Sequence, residues 1–168
     1  MRSDELRSLQ APLKERYRED PRAAEITLSA TGTLDEGVSC SVRTGAAVAA
    51  AAGLHPATGG DGSLLCSGDM LLEALVACAG VTLRAVATSL ELPVAGGTVT
   101  ADGDLDFRGT LGVDREAPVG FRAIRLRFDL DTTATPEQLA TLLRLTERYC
   151  VVFQTLAVAP ELSASVGS

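Results

Sequence analysis

The 168 residues are 46% hydrophobic and 22% charged, with 22 acids against 15 bases and a formal net charge of −7. That length and composition predict one folded domain, residues 1–168, and exclude a disordered chain. The acidic balance argues against nucleic acid as a partner, because affinity for phosphate backbones comes from Lys and Arg.

The N-terminus, MRSDELRSLQ, is too charged for a secretory signal peptide. Ser3 to about Asp20 reads as a helix, with Leu6, Leu9, Leu13 and Tyr17 near one face. Pro12 is expected to kink or split it, and Pro21 to close it; residues 1–24 form an N-terminal helical extension. Strands are expected near Glu25–Ala30 and Val38–Arg43, with Thr33 to Gly37 as the turn between them. Ala46–Leu54 is ambiguous: alanine favours helix, but Gly45 and Gly53 leave room for about two turns. His55 to Gly62, HPATGGDG, is a turn-rich loop.

A long helix is expected from Ser67, which can cap it, with Asp69 in the first turn where a carboxylate offsets the helix dipole. Met70, Leu71, Leu72, Leu75, Val76, Cys78, Ala79, Val81, Leu83 and Val86 cover nearly its whole circumference, so its place is the middle of a domain or dimer. Its most apolar run, Met70–Val81, carries Glu73 and falls short of the ~20 apolar residues of a membrane span. The reading is a soluble, cytoplasmic protein with no membrane partner. The helix ends before Pro93.

Val99, Ala101, Gly103, Leu105 and Phe107 then alternate with polar residues, and so do Ile124, Leu126, Phe128 and Leu130. Period two predicts two strands, each with one buried face; acidic residues on one and arginines on the other suit antiparallel pairing. Arg108 to Gly120 is the loop between them. Thr135, Pro136 and Gln138 form a capping box with proline at the first helical position. The helix they start has Leu139, Leu142, Leu143 and Thr146 as its inner stripe and Cys150 at its end. Leu162, Ala164 and Val166 suggest a last short strand.

Four cysteines stand in this frame: Cys40 on a strand, Cys66 before a helix, and Cys78 and Cys150 on core helices. With no export signal, the candidate roles are free thiols, redox chemistry or metal. Metal is poorly served, since zinc sites use closely spaced Cys or His pairs, whereas these spacings are 26, 12 and 72 and His55 is the single histidine. That histidine, in a Gly- and Pro-rich loop, reads as a loop-packing residue. There is no GxGxxG or Walker-type motif, so no cofactor is expected, and GGDG at 59–62 is a turn.

The stretch GGDGSLLCSGDMLLEALVACAGVTLRAVATSLELPV, with the later RYCVVFQTL, resembles the OsmC/Ohr family (osmotically induced protein C and organic hydroperoxide resistance protein). The likeness covers about Gly59–Leu162: a GG-rich loop, a helix start followed by LL, a cysteine three turns in before V-T-LR, and a second cysteine closing a later helix. It implies an α+β fold, an intertwined homodimer with antiparallel sheet wrapped around two central helices, here with an extra N-terminal helix. It also implies a stress-response, antioxidant peroxidase. Cys78 would attack an organic hydroperoxide and become sulfenic acid, Cys150 would resolve it to a disulfide, and a lipoamide-like or thioredoxin-like dithiol would reset the pair.

The family's helix-start glutamate corresponds to Asp69 or its neighbour, which reads equally as a first-turn helix residue. Leu34 stands where the family's activating arginine is expected; Arg43 and Arg148 are candidates to replace it. Val151 follows the second cysteine, where many members have proline. Those departures keep a second reading open, an OsmC-like protein that binds an apolar small molecule at the dimer interface without peroxidase chemistry. A third is a structural or interaction module with slow thiols. Cys66 is an alternative partner for Cys78. The nearly neutral extension, six bases and five acids, is expected to pack on its own dimer rather than to bind nucleic acid.

Overall fold

The computed structural model describes residues 1–35, 37–43 and 49–167. It is an α+β chain: helix α1 (Ser3–Glu19), strands β1 (Gly32–Leu34), β2 (Ser39–Arg43), β3 (Ala49–Gly53) and β4 (Leu65–Cys66), and helix α2 (Ser67–Ser89). Strand β5 (Val94–Asp104), a helical turn α3 (Phe107–Thr110), strand β6 (Ala123–Thr132) and helices α4 (Pro136–Tyr149) and α5 (Val151–Ala157) follow. The chain groups into two compact units, one of Met1–Arg7, Ala74–Thr100 and Phe128–Ser168, the other of Ser8–Glu73 and Ala101–Arg127.

The first unit holds the principal core. Leu75, Ala79, Leu83 and Ala87 recur every fourth residue on α2 and are its buried stripe. Leu83, Ala87 and Leu142 cluster there, with Val86, Leu92, Val94, Phe128, Leu130 and Leu139 packed around them. Another face of α2 is left open: Val81 is 72% exposed and Ala74 and Ala77 are exposed. By length and composition α2 is apolar enough to cross a bilayer, its most apolar 18 residues having a mean hydropathy of 1.8. The short count of Met70–Val81 missed this because it stopped before the apolar second half. A core helix of a globular protein passes the same test, and α2 has one stripe already packed.

Helix α2 closes with Glu91 in the left-handed region, φ 57°, and Leu92 N–H returning to the Ala87 carbonyl at 2.9 Å, a Schellman-type end. Pro93 follows, as expected. Arg7 donates to the Ser89 carbonyl (3.3 Å) and pairs with Glu91 (3.7 Å), so the start of the N-terminal extension clasps this end of α2. Pro12 does not divide α1; Arg2–Glu5 and Glu15–Arg18 pairs lie on either side of it. Of its expected inner face, Leu6 is half-buried whereas Leu9, Leu13 and Tyr17 are exposed.

Strand β6 follows the predicted alternation without exception, with Ile124, Leu126, Phe128, Leu130 and Thr132 half-buried and the residues between them exposed. Its pairing with β5 is antiparallel, since Thr132 Oγ1 reaches the Pro93 carbonyl at one end and Arg122 N–H the Asp104 carbonyl at the other. Gly97, φ 145°, lies so close to the Asp129 carbonyl that a β-carbon would collide with it. Arg125 pairs with Asp104 across the wet faces. Strand β5 stops at Asp104: Phe107 opens α3 instead, because Asp106 caps that turn by accepting from Arg108 N–H.

In the second unit β1 to β4 form a sheet in chain order. The β1–β2 and β2–β3 pairs are antiparallel, whereas β4 joins β3 in parallel, so the sheet is mixed rather than antiparallel throughout. The first strand is not Glu25–Ala30; β1 begins at Gly32, and Ile26 and Leu28 are 78% and 85% exposed. The ambiguous alanine segment is strand from Ala49 to Gly53, its residues 46–48 lying outside the described residues. His55 is structural: Nδ1 accepts from Ala57 N–H (3.0 Å) and the ring stacks on Phe107 at 5.0 Å between centroids. No strand forms at residues 158–167, where Leu162 and Val166 are 85% and 99% exposed.

Candidate active site at the paired cysteines

Helix α4 starts with the expected capping box: Thr135 Oγ1 accepts from Gln138 N–H and Gln138 Oε1 from Thr135 N–H. Leu142 and Thr146 anchor its buried side, each 1% exposed, whereas Leu143 is 43% exposed and lies off the stripe. The helix stops at Cys150, whose backbone is extended (φ −74°, ψ 110°), and the chain re-enters helix at Val151. Cys150 is therefore the last cap of α4 and the first cap of α5. Its N–H bonds the Thr146 carbonyl (2.9 Å) and its Sγ accepts from Phe153 N–H (3.5 Å). Gln154 holds the corner from the other side, its amide donating to the Glu147 carbonyl at 2.8 Å.

This corner brings Cys150 to Cys78 on α2. Cys150 is fully buried and Cys78 half-buried, and both are free thiols. Burial pushes the Cys78 thiol up, but hydrogen bonding from the Val152 N–H, the Cys150 thiol, the Val151 N–H and the Thr82 hydroxyl outweighs it and holds Cys78 below the usual thiol value of 9.0. Cys150 goes the other way. Burial raises it, the Cys78 neighbour raises it further, and the Phe153 and Val152 N–H groups offset only part. The two thiols are shifted in opposite senses: Cys78 toward thiolate, Cys150 toward the protonated thiol. Such a pair can pass from sulfenic acid to disulfide without a metal or cofactor.

Asp69 is on the exposed first turn of α2, nine residues before Cys78. At ~1.5 Å per residue that is about 13 Å along the helix, so one chain does not bring the two together. The same arithmetic puts Cys66, just before α2, out of disulfide reach of Cys78 on that helix. Leu34 is 87% exposed on β1, Arg43 ends β2 exposed, and Arg148 lies over its neighbour Tyr149 at 5.5 Å. The groups that lower Cys78 are instead main-chain N–H groups of α5, the Cys150 thiol and the Thr82 hydroxyl. Sequence reasoning missed α5; its signal was the Val151–Val152 pair after Cys150, which interrupts the helical stripe. Thr82 was visible as a residue one turn beyond Cys78 on the same face. A groove of about 260 Å³ in the same unit, lined by Arg2, Ser3, Arg84, Thr88, Glu91 and Leu92 among others, includes neither cysteine.

The OsmC-like protein family model matches residues 60–165. No curated protein matches the chain. Solved structures with the same fold include an OsmC-like protein from Mycoplasma pneumoniae, with a TM-score of 0.67 at 16% identity over 80% of this chain and 90% of that one. Another is an organic hydroperoxide resistance protein OsmC from Legionella pneumophila, with a TM-score of 0.62 at 14% identity over 79% and 91%. A third is an organic hydroperoxide resistance protein from Elizabethkingia anophelis with thiocyanate bound, with a TM-score of 0.56 at 17% identity over 79% and 89%. Identities this low speak for the fold alone, but the family match spans more than half of the sequence and includes both Cys78 and Cys150: the chain belongs to the OsmC-like protein family.

Proposed function

We propose that this protein is a thiol-dependent peroxidase that reduces organic hydroperoxides through Cys78 and Cys150. The observation that carries the reading is the neighbouring pair of free thiols, Cys78 and Cys150, both inside the family match, and their opposite pKa directions agree with it. The Cys78 thiolate attacks the outer oxygen of ROOH, the O–O bond breaks, and RO⁻ takes a proton and leaves as alcohol. Cys78 is then a sulfenic acid. The Cys150 thiol attacks its sulfur, water leaves, and a Cys78–Cys150 disulfide forms. A dithiol of the lipoamide or thioredoxin kind reduces that disulfide and is itself oxidised to one. The names of the Legionella and Elizabethkingia relatives, organic hydroperoxide resistance proteins, support this substrate class.

The working unit in this proposal is an intertwined homodimer in the cytoplasm, where a reducing pool keeps such thiols free. The exposed Ala74, Ala77 and Val81 of α2 and the exposed Leu9, Leu13 and Tyr17 of α1 support a second copy as their cover. Asp69 keeps a site role only if that copy brings it to a Cys78. The deciding experiment is a non-reducing peptide map after one equivalent of cumene hydroperoxide. A Cys78–Cys150 link formed within seconds supports the peroxidase. Survival of all four thiols overturns it and leaves the binder of apolar small molecules.

A further inference from the structure

The second half of α2 opens onto the groove of about 260 Å³. Arg84, Ala87 and Thr88 fall three and four residues apart on one helix face and line it, and Arg2 and Ser3 at the start of the N-terminal extension line it with them. Ala87 belongs to the principal core cluster, and Leu92 and Val94, also in the lining, pack against that cluster, so the groove has a fixed apolar side. Two of its polar groups are incompletely matched. The Ser3 Oγ is buried with no hydrogen-bond partner, a costly state for a hydroxyl. Arg84 Nη1 donates to the Val94 carbonyl at 2.7 Å, which holds the guanidinium at the groove, yet among the described residues no carboxylate pairs with it. The other charges of the lining are answered: Arg2 by Asp4 (3.1 Å) and Glu5 (3.4 Å), Glu91 by Arg7 (3.7 Å).

We propose that this groove binds a small organic carboxylate with a short aliphatic chain, its head on the Arg84 guanidinium and the Ser3 hydroxyl and its chain against Ala87, Leu92 and Val94. A guanidinium presents N–H donors in a planar fork that matches a carboxylate, and the bond to Val94 uses only part of it. The Ser3 hydroxyl gains in such a ligand the acceptor that the chain does not give it. The groove is smaller than the about 300–1,000 Å³ of sites for drug-sized molecules, which sets the ligand's size. Thr88 lies ten residues after Cys78 on α2, about 15 Å along the helix, so the site is separate from the thiols and does not depend on their chemistry.

The test is a titration of the full chain with sodium hexanoate, against sodium chloride at equal ionic strength, followed by amide shifts in two-dimensional NMR spectra. Saturable shifts are expected at Ser3, Thr88 and Leu92. Hexanoate is expected to bind about tenfold more tightly than acetate, because its chain covers the apolar side. Arg84→Gln is expected to weaken binding about tenfold, the scale of losing a charged hydrogen bond, and Ser3→Ala about threefold, the scale of losing a neutral one. Arg125→Gln, which removes an arginine of the other unit, should leave binding unchanged. Arg84 also holds the Val94 carbonyl, so if Arg84→Gln does not fold, Ser3→Ala decides. The absence of saturable shifts overturns the proposal, as does binding that survives unchanged in either groove variant. Acetate or inorganic phosphate binding as tightly as hexanoate overturns it too, since the groove would then select charge and not an aliphatic carboxylate.

Discussion

Each of the two units contains a pair of cysteines, and the pairs have opposite fates. In the sheet, Cys40 pairs with Ala52, which pairs with Leu65, while Cys66 lies in the next row opposite Gly53. Neighbouring rows point to opposite faces, so Cys40 and Cys66 stand back to back with a strand between them. In the helical unit, Cys78 and Cys150 converge although 72 residues separate them, and unpaired N–H groups at a helix start converge with them. Sheet N–H groups are consumed by the ladder, whereas a helix begins with free ones. That difference in main-chain supply, rather than any difference in the thiols, is what sets the surroundings of the two pairs apart.

The largest test of this contrast is to remove sulfurs one pair at a time. Cys78→Ser is expected to abolish consumption of cumene hydroperoxide in the presence of a dithiol, whereas the double variant Cys40→Ser/Cys66→Ser should stay within about twofold of wild type. Comparable losses in both would erase the distinction. Core burial should also follow the units. Leu142→Ala is expected to cost ~2–5 kcal/mol in urea unfolding, because Leu142 is 1% exposed in the principal cluster. Leu34→Ala, at an 87% exposed position of the sheet, should cost no more than about 0.5 kcal/mol.

A smaller effect is expected at Thr82. Cys78 sits below the ordinary thiol value of 9.0, so its thiolate fraction grows as pH rises through that lowered midpoint. Thr82→Val should move the pH midpoint of Cys78 alkylation by iodoacetamide upward and Thr82→Ser should restore it. An unchanged midpoint in Thr82→Val would leave the thiolate to the α5 N–H groups and the Cys150 thiol. The smallest effect lies in the other unit, at the carboxylate of Asp106, whose side chain is 14% exposed. Side-chain and backbone hydrogen bonds from Arg108 lower Asp106 from 3.8 to about 2. A carboxyl depressed in the folded state contributes stability that is complete above its unfolded value and is lost as pH falls through the folded one. The window is therefore about pH 4 to 2, and Arg108→Gln should return the carboxyl titration, followed by NMR, toward 3.8.

Local signals were read well where one element satisfied its own rule. The Thr135–Pro136–Gln138 start of α4 needs only its own turn, and β6 needs only one covered face. The same alternation gives no strand at Ile26–Leu28 and Leu162–Val166, because a period-two pattern makes a strand only when a partner edge and a cover exist, and among the described residues the chain places neither there. Leu105 and Phe107 continue the rhythm of β5, yet the Asp106 cap turns the chain into α3. Helix α5 was missed because a single residue, Cys150, ends one helix and begins the next.

By itself the sequence determined the helices α2 and α4, the antiparallel β5–β6 ribbon, the family and the two cysteines of the candidate site. The helices and the ribbon rest on periodicity and caps, which are properties of neighbouring residues, and the family and the two cysteines on a resemblance of sequence motif. Only the tertiary structure decided that Cys78 and Cys150 meet, which of them inclines to thiolate, and what supports it. Those outcomes depend on burial and on main-chain N–H groups left free at a helix start, and an N–H is the same in every residue but proline, so its direction is written in the fold and not in the letter code.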